Sequence, residues 1–403
     1  MMTAEQRFLL SCLRHFLSQK TIDTIPDTID PEELFRIANE HSIDSLVFSI
    51  CHKYLSFGTA EAKFRGVFSW HIFYSANRKE LLKEIVERFR QNDIPVICFK
   101  GSVFRDYYPD SALRTMGDID LIIHTKDRSS VDRILQENMR FNRLIDNHDV
   151  WTYWVRQFQF EVHDHMFYEN LANRVDYRSY FDQVWEHCHN APVFGIESDN
   201  LFVPDESFHF LYLMTHTAKH IINNGSGFRA YLDMVLMVKN CELDWDWLEN
   251  ELIRLKLFDF TKTCFALCER WFDVKMPLGK KQIEESFFEE VTEKTFRDGI
   301  FGLENDQNAG AHSAKEIKRN GSYIGGSLKI TLQKVFPPYR DMQLIPWYAW
   351  VDGKPWLLPA AWVYRWGYCI KNKRKDSMDL LTEPFVKKEI VKKREILIQN
   401  WGL

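Results

Sequence analysis

IPVICFKGSVFRDYYPDSALRTMGDIDLIIH, residues 94–124, decides the fold. It opens with a short apolar run, rich in β-branched residues and ending at Lys100-Gly101, which reads as a buried strand. SVFRDYY gives one or two helical turns, and Pro109-Asp110-Ser111 marks a turn. GDIDLIIH then alternates polar and apolar residues and reads as a second strand. Successive strand side chains point to opposite faces, so Asp118 and Asp120 project together while Ile119 enters the core.

Downstream, residues 127–139 read as a helix, and FNRLI followed by 151–163 as two more strands. The second ends in FQFEVHDHMF, with Glu161 between Phe160 and Val162 and with His163 on its face. The order strand, helix, strand, helix, strand, strand over 93–168 gives an α/β core with a mixed sheet. Residues 1–92 read as a helical region. DPEELFRIAN starts with Asp30 as N-cap, Pro31 at N1 and Glu33 at N3, a capping-box arrangement, and 61–92 continue as a long helix. Helical patterning returns from 204. The expected organisation is therefore 1–92 helical, 93–203 core and 204–403 helical, with an aromatic-rich segment at 336–370. Residues 304–325 read as a polar loop and 371–403 as a charged amphipathic helix.

The candidate chemistry lies in the core. Carboxylates two apart on a strand repel each other unless a cation lies between them. Mg²⁺ or Mn²⁺ takes such oxygen ligands together with phosphate oxygens, and Glu161 is the candidate third ligand. Gly101 lets backbone approach a phosphate, and the Ser102 hydroxyl and neighbouring N–H groups can hold it. Lys100, Arg105 and Arg114 bring positive charge, and Arg114 can brace a carboxylate or meet a triphosphate. His216 and His220 stand four apart on a helix without the glutamate of a zinc-protease motif. That helix reads as a wall of the nucleotide cleft, with Lys219 reaching a phosphate. Asp233 reads as a helix-face ion-pair partner.

Composition bounds the remainder. Hydrophobic residues at 45% and charged residues at 27% describe a globular chain, and 31 Phe with 13 Trp supply a large core. The net charge of -5 does not favour nucleic acid as partner, although Lys100, Arg105, Arg114, Lys126 and Arg128 permit a local basic groove. The eight cysteines are scattered and no signal peptide is evident, so reduced thiols in a cytoplasmic protein are expected. Cys264 and Cys268 read as core thiols rather than half of a metal site. No run of 18 uncharged apolar residues exists, so no transmembrane segment is expected. The tryptophans of 336–370 with Lys371, Lys373, Arg374 and Lys375 read as an aromatic core next to a basic helix end, the other reading being a membrane-surface contact.

FKGS at 99–102 followed by GDIDLI at 117–122 resembles the polymerase β-type nucleotidyltransferase superfamily, with its hG[GS]…Dh[DE]h pattern. Fifteen residues separate Ser102 from Asp118, slightly more than usual. The finer pattern is similar to an uncharacterised bacterial nucleotidyltransferase family group: Lys100-Gly101, Arg114, Asp118-Ile119-Asp120-Leu121-Ile122 and Glu161-Val162-His163. EELFRIANEHSIDSLVF, HTAKH…GFRAYLDM and WLLPAAWVYRW extend the likeness over most of the chain. The resemblance implies an α/β (α+β) fold, a minimal nucleotidyltransferase mixed sheet between helical regions. It also implies Mg²⁺-dependent transfer of a nucleotidyl group from a nucleoside triphosphate such as ATP to an unassigned acceptor. By the resemblance, Asp118, Asp120 and Glu161 would be the catalytic metal ligands and Lys100 and Gly101 nucleotide contacts; the residue reading above adds Ser102, Arg114 and Lys219 as nucleotide contacts. Two further readings stand beside it: a non-catalytic nucleotide- or partner-binding module at a membrane surface, and an enzyme that modifies nucleic-acid ends.

Overall fold

The computed structural model describes residues 2–22, 29–146, 150–171, 173, 175–223, 225–299, 332, 335–342, 346–351, 353–372 and 396–403. Four helices come first: α1 (Ala4–Ser18), α2 (Pro31–Glu40), α3 (Asp44–Cys51) and α4 (Ala60–Arg90). Asp30 caps α2 by accepting the Glu32 N–H at 2.9 Å. The reciprocal bond expected from Glu33 does not form, because Glu33 pairs with Arg36 at 2.6 Å. Glu5 of α1 takes the Asp30 N–H instead, at 3.2 Å, so the cap ties two helices together.

Seven strands make one mixed sheet: β1 (Val96–Phe99), β2 (Asp118–Ile122), β3 (Asn142–Asp146), β4 (Val150–Val155), β5 (Phe158–His163), β6 (Cys188–Asn190) and β7 (Leu201–Pro204). The order is β3-β4-β5-β2-β1-β7-β6. β2 runs parallel to β5 and β1 to β7, and the other pairs are antiparallel. The segment 151–163, expected as one strand, is the hairpin β4–β5, whose two-residue turn follows the pair Val155–Phe158. Arg156 takes positive φ (54°) there without a Gly, Asn or Asp to announce it. The short strands β6 and β7, which no periodicity marks, extend the far edge.

Three short helices connect the strands: α5 (Gly101–Phe104), α6 (Arg128–Arg133) and α7 (Tyr177–Phe181). Strand alternation gives the sheet two different faces. Val96, Cys98, Ile119, Leu121, Phe158, Phe160 and Val162 pack on Leu82, Ile85, Val86 and Phe89 of α4 and on Val131 of α6. Each such buried aliphatic or aromatic side chain contributes roughly 1.5–3 kcal/mol. Ile97, Phe99 and Ile122 point the other way, into the helical core. Asp118, Asp120, Glu161 and His163 share that second face by the same period of two.

Five more helices build the helical core on that side: α8 (Glu206–Asn223), α9 (Phe228–Asn240), α10 (Trp245–Arg254), α11 (Phe258–Phe272) and α12 (Glu285–Asp298), with Tyr212 of α8 against Phe99 of the sheet. Their core is continuous with that of the first helices, joining Phe8, Leu13 and Phe64 to Phe228, Tyr231 and Trp271. Trp271 anchors the join: its indole N–H donates to Thr292 (2.9 Å) and its carbonyl accepts from Arg14 (2.7 Å). Cys264 and Cys268 are fully buried core thiols, and burial raises both well above the ordinary thiol range.

The aromatic segment forms a small separate cluster of Met342, Tyr348, Val351 and Ala361, with Trp356 and Tyr364 exposed. The expected loop at 304–325 and most of the expected tail helix at 371–403 lie outside the described residues. Among the described residues, no helix is long and apolar enough to cross a membrane.

Candidate functional site

β2 and β5 lie side by side in parallel register, with Asp120 opposite Glu161, Asp118 opposite Gln159 and Ile122 opposite His163. The face they share opens into a cleft of about 430 Å³. Asp118, Asp120 and Glu161 line one wall; Tyr212, His216, Lys219 and His220 of α8 and Arg229 of α9 line the other. The wall of α8 follows from helical period, since positions 212, 216, 219 and 220 fall on one face.

Asp120 is the centre of the acidic wall, with its side chain 3% exposed. Its Oδ1 accepts from Lys100 Nζ at 2.5 Å and lies 3.0 Å from His163 Nε2. Burial by itself would raise this carboxyl, but Lys100 and His163 outweigh it and hold Asp120 at about 2. Its neighbours go the other way. Burial pushes Asp118 up and Asp120 beside it adds, with Lys100 and Arg229 only partly opposing. Burial, Asp120 and Asp118 raise Glu161 to about 7. Lys100 itself is kept well above the ordinary lysine value, because Asp120, Tyr212, Asp118 and Glu161 overcome its burial.

Lys100 is held at both ends. Its backbone takes positive φ (53°), unfavourable for a residue with a Cβ. Its N–H donates to His209 Nε2 at 3.0 Å while its ammonium is held by Asp120. Gly101 follows with a tight steric requirement: a Cβ there would stand 2.7 Å from Arg114 Nη1. The glycine therefore makes room for a guanidinium at the cleft wall.

The remaining expected contacts divide. Lys219 lines the cleft, with Nζ 3.3 Å from Glu169. Ser102 turns inward, 1% exposed, and its hydroxyl meets no hydrogen-bond partner among the described residues. Arg114 does brace a carboxylate, but that of Asp233, through bonds of 2.9 and 2.7 Å. Asp233 thus has its ion-pair partner 119 residues away rather than along its own helix. The possible basic groove is not laid out on the surface: Arg105 and Arg114 are buried, and Arg128 pairs with Asp164 at 3.0 Å. His216 and His220 sit with their Nε2 atoms 2.9 Å apart, and burial lowers both, His220 to about 4, so they face the cleft as neutral rings.

His163, which sequence reading placed on the face of Glu161, and Arg229, which it did not single out, gain definite places here. His163 fixes the orientation of Asp120, and its own Nδ1 is buried without a partner. Arg229 lines the cleft near Asp118; its only sequence signal is its position four before Asp233, which suggests a pair that does not form.

The donor set suits a divalent cation. Ligand atoms of Asp120, Glu161 and His163 all lie within 4.8 Å of one another, and Asp118 shares their face. Two of the three carboxyls are pushed toward protonation, by burial first and by the neighbouring aspartates second, which a hard cation would relieve.

A mixed α/β sheet that presents paired aspartates and a third carboxylate to a cleft defines the class of phosphate- and metal-handling transferases that the sequence resembles. The family is explicit: the chain matches the model of an uncharacterised nucleotidyltransferase over residues 27–273, more than half its length, and belongs to that family. No curated protein and no solved structure matches it. The matched span runs from just before α2 to just after α11, so it contains both walls of the cleft.

Proposed function

We propose that the protein transfers a nucleotidyl group from a nucleoside triphosphate such as ATP to an acceptor hydroxyl and releases pyrophosphate. The observation that carries this is the juxtaposition, in one cleft, of Asp118, Asp120 and Glu161 from two parallel strands. Asp118, Asp120 and Glu161 would hold Mg²⁺ or Mn²⁺, with His163 fixing the Asp120 carboxylate. When bound, the metal would lower the pKa of the attacking hydroxyl and offset charge on the phosphate. Lys100 and Lys219 bring cations to the phosphate path, and Gly101 keeps the wall open beside them. Asp120 and Lys100 are themselves buried, which strengthens the charge interactions they make. Buried free thiols fit a cytoplasmic setting.

The test is pyrophosphate release and label transfer, with each of four α-labelled nucleoside triphosphates, Mg²⁺ or Mn²⁺ and a cell extract as the source of acceptors. Label should move to an acceptor with the wild type and not with Asp118→Ala/Asp120→Ala. Transfer by the double variant at the wild-type rate would overturn the reading.

A further inference from the structure

Arginines crowd the Asp118 end of the cleft. Arg78, Arg105 and Arg114 are buried and Arg229 is half-buried. Among the described residues, only Arg114 of these four is in an ion pair. Arg78 donates to the Gly117 carbonyl (2.7 Å) and Arg105 to Ser75 of α4 and to Ser111 (2.7 Å each), so both tie down the segment before β2, although the Nε of each is buried without a partner among the described residues. Arg229 differs. It lines the cleft, and its hydrogen bonds are two long ones from Nη1, to the Thr115 carbonyl (3.3 Å) and hydroxyl (3.4 Å).

The natural partner of Arg229 would be Asp233, one turn along α9. That carboxylate is already filled: Oδ1 accepts from Arg114 Nε and the Tyr108 hydroxyl, and Oδ2 from Arg114 Nη2. A guanidinium taken largely out of water without a carboxylate partner is costly. Burial and the neighbouring Arg114 accordingly depress Arg229 to about 10. Arg78 and Arg105 do not line the cleft, so the remaining donors of the Arg229 fork, and Nη1 of Arg114 beside Gly101, are the guanidinium donors this wall has available to a ligand. A planar fork of N–H donors matches the oxygens of a phosphate better than a point charge does.

We propose that Arg229, with Nη1 of Arg114, binds the β- and γ-phosphates of the nucleotide at the Asp118 end of the cleft. This rests on the proposed transfer reaction for the identity of the ligand, and on geometry alone for the anion site. It divides the cleft: the polyphosphate takes the end at Asp118, Gly101 and Arg229, which leaves the end at Glu161 and Tyr168, also a lining residue, for the acceptor.

Calorimetry of the full chain with Mg²⁺ tests it, using inorganic tripolyphosphate, a non-hydrolysable ATP analogue and AMP as probes. Arg229→Gln should weaken tripolyphosphate and the ATP analogue at least about tenfold and leave AMP within about twofold, because AMP lacks the two outer phosphates. Arg229→Lys, which keeps the charge and loses the fork, should fall between, and Arg254→Gln on the exposed face of α10 should match the wild type. A folded Arg229→Gln that binds tripolyphosphate as the wild type does would overturn the proposal. If Arg229→Gln does not fold, an Arg229→Lys protein with unchanged tripolyphosphate affinity would do the same. Tripolyphosphate binding that depends on Arg229, without pyrophosphate release from any triphosphate, would leave the anion site standing and remove the transfer reaction. Transfer that proceeds normally in Arg229→Gln would do the opposite. A wild type that binds none of the probes would remove both.

Discussion

The two walls of the cleft are built by different rules. The acidic wall comes from β2 and β5, whose side chains alternate, so two residues of separation suffice to aim Asp118 and Asp120 together. Parallel register then brings Glu161 opposite Asp120. The basic wall comes from α8 and α9, and its cations reach the cleft only because those helices pack across the sheet. Charge density differs as well. Burial shifts both walls: with the neighbouring aspartates it raises Glu161 to about 7, and it depresses Lys219 and Arg229. Asp118 on one wall and Arg229 on the other have no ion-pair partner among the described residues, and the proposed metal-bound polyphosphate would supply both.

The sharpest break in this comparison is at its acidic centre. Asp120→Ala should lower transfer by roughly three orders of magnitude, as loss of a fixed charge at a reacting phosphate does. Pyrophosphate release measures it, and a loss below tenfold would mean that Asp120 serves the fold and not the chemistry. On the basic side, the largest effect is structural. Arg114→Ala takes from the buried Asp233 the partner it has in the structure and should cost up to about 3–5 kcal/mol of stability in urea unfolding, less what Arg229, one turn away, recovers by pairing with it. Adding Asp233→Asn should recover part of that. An Arg114→Ala protein as stable as the wild type would show that the pair carries no weight.

His163 tests how the acidic wall is held. It acts through Asp120, so His163→Gln should weaken Mn²⁺ binding, read by electron paramagnetic resonance, by about 10–100-fold. The same Mn²⁺ affinity in the variant would assign His163 to packing against Phe99 alone. A further test is of pH. Burial lowers His41 and His209 from 6.5 to about 3. Between those values the unfolded chain binds protons that the folded chain refuses. Stability is therefore complete above pH 6.5 and falls as the pH drops toward 3, by about 1.4 kcal/mol per pH unit for each histidine. Unfolding midpoints that stay level from pH 7 to 4.5 would contradict this. His209 ties the effect to the site, since its neutral Nε2 accepts the Lys100 N–H.

Legibility followed the range of the interaction. The strand at 94–99, the turns after Gly101, the facing aspartates and Glu161 were readable because each depends on neighbours two residues away. The hairpin turn at Arg156-Gln157 was not, because an arginine takes the positive φ where sequence reading looks for glycine or asparagine. β6 and β7 escaped because three and four residues are too few to show a period. Ser102 sits where the motif puts it, yet its side chain turns into the core, a choice made by packing.

The amino-acid sequence by itself determined the α/β class, the sheet between helical regions, and which carboxylates face one way. Those outcomes follow from local period and from turn chemistry. Only the tertiary structure decided the partners: that Arg114 takes Asp233, that His163 and Lys100 share Asp120, and that Arg229 is left without an anion. Ion pairs reach across the fold with no spacing rule. They depend on which buried groups meet, and that is settled when α8 and α9 close over the sheet.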